Sequence, residues 1–239
     1  MVECSSGSTA ISEAYFARLL GLRVIAVAPR ATAKPKIEAI EFLGGEVRLA
    51  EAAQIYDEAR RKSMRLLAIS GSLRRASTNT AALEALAQLA PEGVKVRLYR
   101  DLEKLRLFNP DDAIEDKPRP EPVETLRTLV DGSDALVIAA PEYAHGLPGA
   151  LKNALDWLVA SETFAGKPSA LLNTSPRAFH AQAYLREILS TMAARLIPEA
   201  FVSISLTGKA VTADDILADT VCSRRLTESL EALIAATRG

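Results

Sequence analysis

The chain has 239 residues and a mass of 25.7 kDa, about one and a half domains at ~150 residues each. With 49% apolar and 25% charged residues it can bury a core, which excludes wholesale disorder. A net charge of −1 gives no electrostatic case for nucleic acid or an acidic membrane surface as partner.

The first stretch, Cys4 to Leu22, reads as a capped helix ended by Gly21. Val24–Pro29 reads as a strand, Ile37–Phe42 as a helix ended by Gly44 and Gly45, and Glu46–Leu49 as a short strand. The charged cluster Arg60-Arg61-Lys62-Ser63 closes this αβαβ segment, and a new apolar strand begins at Met64. The expected domains are therefore 1–63 and 64–239.

In the larger part, continuous apolar runs occur at Leu66–Ile69, Ala135–Ala140 and Ala170–Leu172. Runs of this kind suit strands covered on both faces, as in a parallel sheet. Val94–Tyr99 and Phe201–Leu206 alternate instead, as half-exposed edge strands do. Helical stripes lie between them: Ala82, Leu83, Leu86, Leu89, Ala90; Leu126, Leu129, Val130; Leu151, Ala154, Leu155, Leu158; Leu185, Ile188, Leu189, Met192, Leu196; and Leu226, Leu230, Leu233, Ile234. Alternating strands and helices give an α/β doubly wound parallel sheet. With the first, third and fourth strands central, five strands take the order 2-1-3-4-5. That is the flavodoxin-like arrangement, with its ligand crevice at the switch between the first and third strands. Ligand loops are then expected after Ile69 and after Ala140.

The first of these loops runs Ser70-Gly71-Ser72-Leu73-Arg74-Arg75-Ala76-Ser77-Thr78-Asn79-Thr80 and opens into a helix. Helix N-terminal amides, short hydroxyls and arginine suit a phosphate. The same residues also suit an ordinary capped helix with no ligand. There is no GxxxxGK[ST] and no GxGxxG, so neither a P-loop nor a conventional dinucleotide loop is expected. The second loop, Pro141 to Gly149, holds two prolines and two glycines, which stiffen it and let its backbone approach a flat ligand. His145 has no acidic partner or nucleophile motif and is not read as a general base. Trp157, in the helix that follows, suits either the core or a dimer interface.

Gly71-Ser72-Leu73-Arg74 with Ser77 and Asn79, followed by Pro141-Glu142-Tyr143 and Pro148-Gly149-Ala150-Leu151-Lys152-Asn153-Ala154-Leu155-Asp156-Trp157, resembles the NADPH-dependent FMN reductase family. The resemblance covers nearly all of 64–239. It implies bound FMN, with NADPH or NADH as electron donor, a homodimer or homotetramer, and a small-molecule electron acceptor: a flavin, a quinone, an azo compound or a metal oxyanion. By position, Ser72, Arg74, Ser77, Asn79 and Thr80 would hold the FMN phosphate. Pro141, Glu142, Tyr143 and Ala144 would border the isoalloxazine ring, and Thr174-Ser175-Pro176-Arg177 would flank it from the other side. The chain departs from the family at Ala144, where Asn is usual, and at Gly146, where Ser is frequent. It also has Arg177-Ala178-Phe179-His180 where a Gly-rich stretch is expected. The near balance of acidic and basic residues favours such a reductase over the alternative of an FMN-binding electron carrier or redox sensor. A non-catalytic interaction module, with both loops merely structural, stays open too.

Residues 1–60 resemble an internal piece of the cysteine synthase/cystathionine β-synthase family of PLP enzymes, with Ser5-Ser6-Gly7-Ser8-Thr9 standing where that family binds a substrate carboxylate. Neither the Schiff-base lysine nor the glycine-rich phosphate loop accompanies it, and PLP chemistry needs that aldimine, so none is expected. The segment reads as a fusion remnant, a deletion product or the result of an early start, and is expected to be loosely attached or docked on another surface. Cys4 and Cys222 are far apart and there are only two histidines. Neither a zinc site nor a disulfide framework is expected, and a reducing, cytoplasmic setting suits the chain. No secretory leader or membrane-spanning segment is read.

Overall fold

The computed structural model describes residues 2–4, 8–50, 64–113, 118–159, 164–206 and 211–238. They divide into two compact units, Met1–Met64 and Arg65–Gly239. The charged cluster at 60–63 and the run at 5–7, on which the sequence reading rested a boundary and a binding loop, lie outside the described residues.

The first unit is a three-stranded parallel sheet of β1 (Val2–Cys4), β2 (Ile25–Pro29) and β3 (Glu46–Ala50), with helices α1 (Ser8–Leu19) and α2 (Lys34–Phe42). Strand β1 corrects the sequence reading, which ran the first helix back to Cys4; three residues are too short to show a period. Both helices end as expected on glycine. Gly21 and Gly44 take φ of +66° and +85°. Leu22 N–H reaches Ala17 O, Gly21 N–H reaches Arg18 O, and the Gly44–Gly45 pair repeats the pattern on Glu41 and Ile40. This is the Schellman arrangement, and a β-carbon would strain it. The core of the unit is small: Ala10, Ala14, Ala17, Val24, Ala26 and Ile40. Phe16, Leu19, Leu20 and Phe42 are exposed.

In the second unit, β4 (Met64–Ser70), β5 (Val94–Tyr99), β6 (Ala135–Ala139), β7 (Pro168–Asn173) and β8 (Arg195–Leu196) lie in the order β5-β4-β6-β7-β8, and β9 (Val202–Ser203) also pairs with β7. The β4–β6, β6–β7, β7–β8 and β7–β9 ladders are parallel. Strand β6 is buried along its whole length, while β5 alternates. The expected fifth strand, Phe201–Leu206, is corrected. The far edge of β7 is shared by two two-residue strands, β8 against Pro168–Ser169 and β9 against Leu172–Asn173. Between them Pro198 starts a 3-10 turn, Pro198–Ala200. Proline has no N–H to give the ladder, so the edge breaks there. Ile204 and Leu206 still donate to Asn173 O and Thr174 O, which continues the attachment without a strand.

Helices α3 (Thr78–Gln88), α4 (Glu121–Asp131), α5 (Gly149–Val159), α6 (Phe179–Thr191), α7 (Ala213–Ala218) and α8 (Thr220–Arg238) complete the unit. Val123, Leu126 and Val130 of α4, Leu151 and Leu155 of α5, and Leu185 and Leu189 of α6 meet Leu67, Ile69, Leu136, Ile138 and Leu171 on one face of the sheet. Helices α3, α7 and α8 pack on one another on the other side. Leu196, taken from periodicity as part of the α6 stripe, lies instead in β8: the helix stops at Thr191 and turns through Ala193 at φ +57°. No described helix is long and apolar enough to cross a membrane.

Candidate functional site

The loop after β4 lies across the end of β6. Gly71 N–H donates to Ala139 O at 2.7 Å. A β-carbon at Gly71 would stand 2.8 Å from Leu151 Cδ2 and 3.3 Å from Ala139 O, so glycine is what allows this approach. Beyond it, hydroxyls shape the turn. Ser72 N–H points to Ser70 Oγ (3.4 Å), Arg74 N–H to Ser72 Oγ (3.3 Å), and Ser70 Oγ meets Thr80 Oγ1 at 2.8 Å. Ser77 caps α3, its Oγ accepting from Thr80 N–H at 3.3 Å. Ser72, Arg74 and Thr80 line a cavity of about 150 Å³, together with Arg75, Tyr99 and Arg100. Ordinary ligand pockets run from about 300 Å³ upward, so this one has the scale of a phosphate and the chain next to it, not of a tricyclic ring.

Of the five residues expected around a phosphate, three line this cavity and two do not. Ser77 is buried in its capping role. Asn79 is buried and its Oδ1 accepts from Thr174 Oγ1 at 3.2 Å, while Thr78 Oγ1 meets the same hydroxyl at 3.2 Å. This network ties the loop after β4 to the loop after β7. In that second loop Ser175 N–H donates to Asn173 Oδ1 at 3.1 Å, and Ser175 Oγ accepts from Arg177 N–H at 3.4 Å.

The loop after β6 holds a tight turn. Tyr143 and Gly146 exchange backbone bonds of 3.1 and 2.9 Å. Between them Ala144 and His145 have φ of +48° and +60°. Positive φ at both central positions marks a type I′ turn, which favours Asn and Gly. Pro141 is half-buried and Tyr143 exposed. Glu142, expected beside a ring, sends its carboxylate to α6, where Oε2 accepts from Ala181 N–H at 2.9 Å. Helix α6 has no side-chain cap of its own at Ala178, so Glu142 supplies the missing acceptor and the negative charge that a helix N-terminus favours. A second tie lies beside it. The His145 and His180 rings stack with centroids 4.4 Å apart, and Phe179 tilts against His180 at 4.0 Å.

A family model described as NADPH-dependent FMN reductase matches residues 64–208. An NAD(P)H-dependent FMN reductase of Pseudomonas aeruginosa is 35% identical over 175 residues, covering 71% of this chain and 93% of that one. The chain belongs to the NADPH-dependent FMN reductase family. A quinone reductase of Escherichia coli is 32% identical over 134 residues, 54% of this chain and 70% of its own length. Among solved structures, a flavoenzyme NAD(P)H:(acceptor) oxidoreductase from Paracoccus denitrificans aligns at TM-score 0.58 and 27% identity, over 73% of this chain and 97% of that one. Membership makes the chain an oxidoreductase with FMN and NAD(P)H as cofactors. A pyridoxal-phosphate dependent enzyme model matches residues 1–107 and so overlaps the reductase match across 64–107. By contacts, 65–107 belongs to the second unit.

The FMN reductase family motif at Pro148–Trp157 acquires a physical reason in the geometry of α5. Asn153 Oδ1 accepts from Phe108 N–H at 2.7 Å and its Nδ2 donates to Arg106 O at 3.0 Å. One turn on, Trp157 Nε1 donates to the same Arg106 carbonyl at 2.8 Å, and its buried ring meets Phe108 edge-on at 5.1 Å. Trp157 is thus a core residue, and with Asn153 it clamps the segment after β5. Sequence reading missed Tyr99, Arg75 and Arg100 as cavity residues. The available signal for Tyr99 and Arg100 was their place at the carboxyl end of β5, the same sheet edge as the two loops.

Two expected results follow from this geometry. Ala144 stands where the family usually has Asn, in a backbone region that costs an alanine roughly 1 kcal/mol. Ala144→Asn is expected to raise stability by about 0.5–1 kcal/mol, because Asn adopts positive φ more readily. A urea midpoint that does not rise would show that the turn holds no such strain. Tyr99 is buried, and its phenol is pushed up from the ordinary 10.0 to about 12, first by burial and then by the Asp101 and Glu103 carboxylates. Its folded pKa lies above its unfolded one. The contribution is therefore whole below pH 10 and is lost as pH rises through 10 toward about 12. Urea midpoints taken across this range should fall more steeply for the natural protein than for Tyr99→Phe; equal slopes would contradict the assignment.

Proposed function

We propose that the loop after β4 is the seat of the FMN phosphate, with Ser72, Arg74 and Thr80 and the first amides of α3 as its donors, and with Ser77 capping that helix beside it. Asn79 serves this seat by holding Thr174, and so the β7 loop, against it. Pro141, Glu142, Tyr143 and Ala144 border the ring on one side and Ser175 on the other, and the Glu142–Ala181 bond keeps the two sides in register. When bound, FMN supplies the relay between a hydride donor, NADPH or NADH, and a small-molecule acceptor. The residues of this chain orient that group and surround it with fixed dipoles. No pair of groups acting as general acid and base is required of them. The acceptor belongs to the flavin, quinone, azo or metal-oxyanion classes, and relatives whose names specify quinone reduction support the quinone class. The assembly is a homodimer or homotetramer in the cytoplasm. The domain that carries this activity is 64–239, and residues 1–63 take no catalytic part.

The observation that carries the reading is one place: Arg74, Arg75 and Arg100, the hydroxyls of Ser70, Ser72 and Thr80, and the start of α3 gather around a phosphate-sized cavity at the β4–β6 switch, which Tyr99 and Glu103 also line. The test compares FMN with riboflavin, which lacks only the phosphate. If Arg74 and the α3 amides carry the phosphate, FMN binds at least about a hundredfold more tightly, as two charge-assisted bonds would give. Equal affinities would overturn the assignment.

A further inference from the structure

Helix α1 is apolar on two opposite sides. Ala10, Ala14 and Ala17 recur at the spacing of one face and are buried with Val24, Ala26 and Ile40. Tyr15, Phe16 and Leu19 recur on the other face and are 50%, 60% and 64% exposed. Leu20 and Leu22, in the turn that ends the helix, are 70% and 55% exposed. Phe42, at the end of α2, is 81% exposed, and Arg18 Nη1 donates to its carbonyl at 3.0 Å, so the two helix ends lie side by side. A helix that is apolar all round is ordinarily buried. Here six large side chains, at about 100 Å² each, leave on the order of 600 Å² of apolar surface in water, the upper end of what a monomer shows in one patch. So small a unit has no fold-stabilising reason to place them there.

We propose that this patch is an interface between two copies of the chain, which pair through their first units about a two-fold axis. In such a contact each patch meets itself, and an apolar centre is complementary to itself without further requirement. The paired area, on the order of 1,200 Å², reaches the lower bound of specific interfaces, about 1,200–2,000 Å². The charges around the patch carry both signs. Arg18 on α1 and Glu38 and Glu41 on α2 are all exposed. A two-fold that lays α1 of one copy along α2 of the other brings these opposite charges together at the rim. The segment without a catalytic part thereby has one in assembly. The contact needs nothing from flavin or nicotinamide, so it stands or falls apart from the reductase reading.

The test reads proximity between copies, whatever assembly the second unit forms. The full chain carrying Leu20→Cys, treated with a short bismaleimide at micromolar protein, is expected to cross-link between copies at least about tenfold faster than Lys34→Cys, at the opposite end of α2. Paired copies hold their thiols at millimolar effective concentration, and separate ones do not. The natural chain, with Cys4 and Cys222, sets the background. Adding Phe16→Glu and Leu19→Glu to Leu20→Cys is expected to remove the excess, and so is adding Phe16→Lys and Leu19→Lys. An equimolar mixture of the two variants should restore it, because opposite charges then face each other. These positions are exposed and the new residues are good helix formers, so α1 keeps its fold and FMN affinity stays unchanged. Leu20→Cys that cross-links no faster than Lys34→Cys would overturn the proposal and give the patch to another occupant. An excess that the glutamates leave in place, or a mixture as slow as its parts, would overturn it equally.

Discussion

Arg74→Ala is expected to weaken FMN binding by about ten- to a hundredfold, the loss of one charge-assisted contact to a phosphate. The side chain is exposed and lines the cavity, so the change removes charge and donors without disturbing the core. Arg74→Lys should fall between the two, because an ammonium keeps the charge and loses the planar fork. Ser77→Ala adds a different kind of loss. It removes the Oγ that accepts Thr80 N–H, so about 1 kcal/mol of helix capping is lost, and FMN affinity falls only through the loosened first turn of α3. The two effects separate experimentally. Quenching of FMN fluorescence reads affinity, and a urea midpoint reads the cap. A double variant that binds FMN as tightly as the natural protein would remove the phosphate from this loop.

Asn153→Ala should cost about 2–4 kcal/mol of stability, near the upper end for a single buried polar side chain. The amide serves three backbone groups on one segment: Phe108 N–H, Arg106 O and, at 3.5 Å, Leu105 O. Deleting it orphans groups that water reaches poorly. Asn153→Asp is the sharper variant. It keeps the acceptor for Phe108 N–H but turns an oxygen toward two carbonyls, and a buried carboxylate against carbonyl oxygens is worse than no side chain at all. Trp157→Phe should cost less, about 1–2 kcal/mol, because Arg106 O keeps its bond from Asn153. A chemical-denaturation series over the three variants gives the order Asp, Ala, Phe from most to least destabilised. If Asn153→Asp proved no worse than Asn153→Ala, the direction assigned to the amide would be wrong.

The central sheet was readable because its signal is local. Continuous apolar runs at Leu66–Ile69 and Ala135–Ala140 mark strands buried on both faces, and alternation at Val94–Tyr99 marks an edge. Those patterns carry the doubly wound parallel fold and place the two loops. The broken edge was not readable, because Val202, Ile204 and Leu206 alternate as a strand would, and only pairing shows where Pro198 interrupts it. In the site, residue types identified the loops but not the division of labour inside them. Asn79 and Glu142 look like ligand-facing groups in sequence, yet each meets a partner far along the chain, Thr174 and Ala181. Such tertiary hydrogen bonds have no periodicity to betray them. The stacked His145 and His180 are a similar case, since each alone looks like an unremarkable surface histidine.

The most direct test of the account is an anaerobic absorbance titration of the purified full chain reconstituted with FMN. NADPH or NADH in stoichiometric amount should bleach the visible flavin band, and a quinone added afterwards should restore it. A flavin band that neither nucleotide bleaches would contradict the reductase and leave a protein that binds FMN without taking electrons from nicotinamide.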